Sequence, residues 1–306
     1  MTIKYLVDSF LDDIEKIRRY SSQTLRAYRN DLYQFLDYCN EFGKNEINNI
    51  SEKVVRKFVV RLNEQHLSTT SVSRKLSALR SLYDFLIKNN YISSNPLKGI
   101  VNPKIKRNLP EVISFEEFQK IPGEVEKKKQ FIILKESSRS SGDISKLIIS
   151  VIELLYSCAL RVSELCNLNY GDIDFVNNSV RVLGKGSKTR IVPIGNESIK
   201  ILKQYLETRE NIRNKSPLFV TPTGIRLYPR YAYKIVNEFL SKVSDAKKKS
   251  PHVLRHSAAT HMLDRGADLL AVKEILGHEN LSTTQIYTHV SIERLKQIHK
   301  QAHPKS

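Results

Sequence analysis

Apolar positions recur at helical spacing through the first hundred residues. In the segment opening at Ser22, Leu25, Tyr28, Leu32, Phe35, Leu36 and Cys39 fall on one face, and Gly43 follows where such a helix would end. A second segment from Ser51 turns Val55, Phe58, Val59 and Leu62 inward. A third carries Leu76, Leu79, Leu82, Tyr83, Leu86 and Ile87 and stops by Ser94-Asn95-Pro96. Together with the amphipathic opening segment, these predict a bundle of about four helices over residues 1–95.

The pattern breaks at Pro96. Residues 96–110, PLKGIVNPKIKRNLP, hold three prolines and four basic residues with no acid, which predicts a stiff basic linker across 96–113. Ser114 and Glu117 then have capping-box spacing and open a second domain over residues 114–306. The polar stretch 124–147 is expected to include a surface loop, and helices are expected near 144–158 and 161–168. After these the period changes from helical to alternating. DIDF (172–175), NSVRVL (178–183) and RIVPI (190–194) read as short strands, with Gly184-Lys185-Gly186-Ser187-Lys188 as a hairpin turn. From Asn196 onward the pattern is again mostly helical. The fold class is mainly α with a small antiparallel sheet, in two domains.

Charge adds a partner to this picture. The 306 residues include 50 Lys+Arg against 32 Asp+Glu, a net of +18, and both halves share the excess. A basic globular chain points to a polyanion, most often nucleic acid, and two basic bodies suggest a clamp that holds it from two sides. Candidate DNA contacts are Arg26, Arg29, Arg74, Lys75 and Arg80 on the first domain, with Arg56 and Arg61 also on its exposed faces. Lys104, Lys106 and Arg107 in the linker and Lys188 and Arg190 by the hairpin extend the set. The scarcity of acids close to residues 74–80 in the sequence favours phosphate contact there. No apolar run approaches the roughly 20 residues that cross a bilayer, and no signal-peptide pattern opens the chain. Three cysteines without a CxxC make neither a disulfide framework nor a zinc cluster, so a soluble, cytoplasmic protein without membrane insertion is expected.

Five segments concentrate side chains that react with or hold phosphate: ALRVSEL (159–165), GKGSKTR (184–190), HVLRHSAATH (252–261), LGHEN (276–280) and TTQIYTHV (283–290). Two rival chemistries fail on the same residues. His252 and His256 have zinc-like spacing, but Val253 stands where a zinc-protease helix needs Glu, and Arg255 between them would repel a cation. The Gly-Lys-Gly turn lacks the leading glycine and trailing hydroxyl of a P-loop. Neither a metal nor ATP nor any other cofactor is expected.

Taken in order, the five segments resemble the tyrosine recombinase family, in detail its Xer branch, over nearly the whole chain. The resemblance implies a two-domain DNA clamp, with a helical core-binding domain and an α+β catalytic domain. It implies an active site of Arg161, Lys185 (rather than Lys188), His252, Arg255, His278 and the nucleophile Tyr287. Two departures stand out: Ala159 occupies a position where glycine is common, and the 124–147 segment is longer than usual. The resemblance further implies double-stranded DNA with an inverted-repeat site, and a cyclic tetramer formed with itself or a related recombinase. A DNA translocase of the division machinery is a further implied partner. The substrate would be the host chromosome, in dimer resolution, or a mobile element. A catalytically inactive DNA-binding protein is disfavoured by the complete residue set.

The side-chain chemistry is consistent with these roles. Two guanidiniums match the non-bridging oxygens of one phosphodiester and neutralise charge that grows in the transition state. A phenol titrates near pH 10 and needs a positive surround or a base to attack at neutral pH. His252 would take that proton, Lys185 would give one to the departing 5′-oxygen, and His278 would hydrogen-bond the phosphate. The product is a 3′-phosphotyrosine and a free 5′-hydroxyl, which reverses without ATP. Glu164 is expected to pair locally and help place Arg161. His256 and His261 are expected in packing or polar support, and Asp268 as a helix cap. Beyond Tyr287, Ile292, Leu295 and Ile298 share one face of a short terminal helix that needs a partner surface.

Overall fold

The computed structural model describes residues 1–17, 20, 22–104, 111–127, 141–184 and 188–277. Lys106, Arg107, Lys185, His278, Tyr287 and the C-terminal segment lie outside the described residues. The chain divides into two compact units, Met1–Asn108 and Leu109–Ser306.

In the first unit the heptad-like burial of Ile3, Leu6, Val7, Phe10, Leu11 and Ile14 makes α1 (Ile3–Lys16) strongly one-sided. It packs on α2 (Ser22–Glu41), which in turn meets α4 (Thr69–Lys88), and α3 (Glu52–Glu64) closes against α4. Gly43, at φ +64°, takes the left-handed conformation that ends α2. Ser68 caps α4 by accepting from the Ser71 amide at 3.3 Å, whereas Ser51 stands at the α3 N-cap without a side-chain bond. The expected bundle of four helices is therefore observed, and α4 starts seven residues before Leu76. The proline-rich stretch that follows does not leave this unit at once. Leu97 and Ile100 are buried in its core, and Arg80 donates to the Ile100 carbonyl at 2.6 Å.

The second unit opens as the capping box requires. The Ser114 amide donates to Glu117 at 2.8 Å, and the Glu117 amide donates to the Ser114 hydroxyl at 3.1 Å, starting α5 (Phe115–Gln119). After α6 (Ile121–Glu126), α7 (Ser141–Ser157) runs through the centre. Ile144, Leu147, Ile148, Val151, Ile152, Leu154 and Leu155 are all buried, so it is apolar nearly all round. It begins three residues before the expected 144. α8 (Val162–Asn167) leads into an antiparallel sheet ordered β1 (Ile173–Asp174), β2 (Ser179–Leu183) and β3 (Thr189–Pro193). The Gly184 amide donates to the Lys188 carbonyl at 2.8 Å, which closes the base of the expected hairpin. The register pairs Val180 with Val192 and Val182 with Arg190, so Arg190 stands on the inner face beside apolar neighbours. α9 (Asn196–Leu206), α10 (Pro229–Val243), α11 (Pro251–Asp264) and α12 (Leu269–Leu276) follow. Asp268 caps α12 through the Leu270 amide at 3.1 Å, as expected. Among the described residues no helix is long and apolar enough to cross a membrane.

Candidate active site

Arg161 sits at the N-cap of α8, and Glu164 is the third residue of that helix. The Glu164 carboxylate reaches back to accept from the Arg161 amide at 2.8 Å and from its guanidinium at 2.7 Å. This realises the expected local pairing, but the carboxylate does more. Arg190 of β3 donates to both of its oxygens at 2.9 Å, and Arg255 of α11 comes within 3.7 Å. Three guanidiniums therefore surround one buried carboxylate. Burial alone would raise the Glu164 carboxyl, yet the hydrogen bonds from Arg190 and Arg161 outweigh it and hold the group below its ordinary value.

One negative charge does not balance three positive ones. Burial pushes the Arg255 guanidinium down to about 10, and the neighbouring Arg161 and Arg190 charges add to this while Glu164 opposes it. Such an excess of positive charge favours a further anion joining the cluster.

Arg255 is held by backbone. Its guanidinium donates to the Ala159 carbonyl at 2.6 Å and to the Leu276 carbonyl at 2.5 Å. Ala159 takes φ +47°, a left-handed conformation that costs a non-glycine residue about 1–2 kcal/mol. The turn between α7 and α8 thereby aims the Ala159 carbonyl at the arginine, a conformation that glycine would take without that cost. Arg161 also donates to the Gly277 carbonyl at 3.0 Å, so α8 and the end of α12 share one guanidinium.

His252 lies in the first turn of α11, one turn before Arg255, exposed and with its ring 6.4 Å from that of Tyr233. His261, at the other end of α11, is bonded to the Tyr156 hydroxyl through Nδ1 at 2.7 Å and has the expected supporting place. Among the described residues no group of three or more His, Cys, Asp or Glu is placed to hold a metal ion.

Two candidate DNA contacts are corrected. Lys75 is buried, not on a solvated face, and donates to Asp31 at 2.8 Å; Asp31 also takes Arg74. The acid missing near 74–80 in the sequence comes from α2, across the bundle. Arg190 is likewise inside the site and occupied by Glu164 instead of lying free beside the hairpin. Arg80 is partly engaged with Ile100 and Asn102. Arg26, Arg29, Lys104 and Lys188 are exposed. Sequence reasoning missed Arg190 as a site residue although strand parity signalled it: Arg190 shares the inward parity of Val192, and a charge there needs a buried partner.

The phage integrase family model matches residues 125–294, and the N-terminal SAM-like domain of phage integrases matches residues 7–90. The chain belongs to the phage integrase family. Its members break and rejoin DNA in site-specific recombination, and the expectations of fold and function hold at that level. The tyrosine recombinase XerC of Chlorobaculum parvum is 37% identical, with 97% of this chain and 94% of the relative covered. That of Thermodesulfovibrio yellowstonii is 36% identical, covering 99% and 97%. Among solved structures, the XerH site-specific recombinase bound to a palindromic difH substrate, a post-cleavage complex, is 26% identical with a TM-score of 0.70. The match covers 95% of this chain and 83% of that one. The Tn1549 transposon integrase in complex with transposon right end DNA shares the fold, with a TM-score of 0.71 at 17% identity, over 98% and 99% of the two chains.

Proposed function

We propose that the protein cuts and rejoins double-stranded DNA at an inverted-repeat site through a 3′-phosphotyrosine at Tyr287, and that its role is resolution of chromosome dimers in the cytoplasm. The observation that carries this reading is the Arg161–Arg255 pair, two guanidiniums brought to one carboxylate with positive charge left over for a phosphate. Tyr287 Oη attacks the scissile phosphorus while its proton passes to His252. The bond from phosphorus to the 5′-oxygen breaks, and Lys185 protonates that oxygen. Arg161, Arg255 and His278 hold the non-bridging oxygens as charge accumulates. The ester conserves the bond energy, so the 5′-hydroxyl of a second strand reverses the step, and the reaction needs neither nucleotide nor metal.

The curated relatives named XerC, matched over nearly their full length, favour a chromosomal role over that of a mobile element. Both units are basic, and we infer that they clasp DNA as a clamp. A cyclic tetramer on two sites, made with itself or a related recombinase and regulated by a division-associated DNA translocase, completes the reading. The test is recombination of a plasmid carrying two copies of the host's chromosomal inverted repeat, in EDTA and without ATP. The wild type is expected to delete the intervening segment and Tyr287→Phe to leave it intact. Recombination by Tyr287→Phe, or a requirement for nucleotide, would refute the mechanism.

A further inference from the structure

Arg190 makes more connections than any role in DNA attraction requires. Its guanidinium gives two bonds to the Glu164 carboxylate and a third, from Nε, to the Ile275 carbonyl at 2.9 Å near the end of α12. It also packs flat against the turn that follows. A Cβ added to Gly277 would lie 3.0 Å from the Arg190 terminal nitrogen and 3.1 Å from its Cδ and Cζ, and Gly277 itself sits at φ +61°. Gly277 thus has two reasons to be glycine: the left-handed helix end and the close approach of a guanidinium. On the other side, Arg190 stands in β3 two residues past Lys188, whose carbonyl closes the hairpin base onto Gly184.

We propose that Arg190 is a positioning residue that sets the geometry of the phosphate grip through Glu164. It is the side chain common to the three places where the site is built: the hairpin strand, the carboxylate shared by Arg161 and Arg255, and the C-terminal end of α12. Its two bonds to Glu164 also take up much of that carboxylate's demand, which leaves more of the Arg161 and Arg255 charge for an incoming phosphate. Lysine cannot replace it, because one ammonium cannot meet two carboxylate oxygens and a carbonyl in one plane. The inference rests on the recombinase reading above.

The experiment uses the full chain and a nicked duplex carrying the same inverted repeat, with either a phosphodiester or a methylphosphonate at the scissile position. A methylphosphonate lacks one ionised oxygen, so arginine neutralisation contributes little to its cleavage. Arg190→Lys is expected to fold and bind DNA but to form covalent complex on the diester roughly 10- to 100-fold more slowly, the scale of a small misplacement of catalytic groups. On the methylphosphonate its deficit should shrink several-fold. Combined with Glu164→Gln, it should lose no more than Glu164→Gln alone, since Arg190 acts through that carboxylate. Equal deficits on both substrates, additive losses, or wild-type rates in Arg190→Lys would each overturn the inference. If Arg190→Lys fails to fold, Arg190→Gln, which leaves Glu164 paired with Arg161 and Arg255, carries the same two-substrate comparison. A wild type that forms no covalent complex at all would overturn the recombinase reading and this inference with it; the other contrary outcomes overturn this inference alone.

Discussion

Glu164 shows how one side chain organises a site around charge. Its carboxylate is nearly inaccessible, and removing one partner of a buried ion pair typically costs about 3–5 kcal/mol. Glu164→Gln is therefore expected to destabilise the protein by an amount of that order at neutral pH. The native group titrates below its unfolded value, so its stabilisation is complete above about pH 4.3 and is lost as pH falls through the native value. Denaturant unfolding across pH should show the wild-type and Glu164→Gln curves converging in acid, and a constant gap would contradict the account. Arg161→Lys and Arg255→Lys keep the charge but lose the planar fork, and each is expected to slow cleavage about 100-fold or more in a covalent-complex assay. Near-normal rates in both would reduce these arginines to electrostatic attractors. The two arginines were legible in the sequence because their motifs are local. Arg190 and Lys75 were misread for the opposite reason, since their partners Glu164 and Asp31 are distant in sequence and only tertiary packing brings them together.

At the scale of elements, α11 carries catalytic candidates at one end and structural anchorage at the other. His252 and Arg255 occupy its first two turns, while His261 near its end is tied to Tyr156 of α7, which stacks on Phe118 at 3.9 Å between centroids. The position of His252 thus depends on how α11 docks on the central helix. Tyr156→Phe removes the hydroxyl and leaves a partly buried imidazole nitrogen without its bond. It should cost about 1–3 kcal/mol in thermal or denaturant unfolding. No loss of stability would mean the contact is incidental. Helix identity was readable from periodicity and caps, as Ser114, Asp268 and Gly43 illustrate. Boundaries were less so: α7 starts at Ser141, where the segment is polar, because its later turns are buried on every side and supply the stability that local pattern does not.

At the scale of the whole molecule, each unit has its own core, with Leu97 and Ile100 closing the first and Ile113 belonging to the second. A fragment of residues 1–108 is expected to unfold cooperatively by itself, and a melt without a transition would show that its core is incomplete. If the two basic units clasp one duplex, the intact chain should bind a half-site at least about 100-fold more tightly than either fragment, because the second contact becomes intramolecular. Its affinity should also fall more steeply with salt. Binding by the intact chain no tighter than by one fragment would argue against a clamp. The central claim, however, is chemical, and peptide mapping of the covalent complex trapped on a nicked duplex tests it most directly. The predicted result is a single modified peptide in which Tyr287 bears a 3′-phosphate-linked nucleotide. Attachment at another residue, or through a 5′-phosphate, would contradict the account.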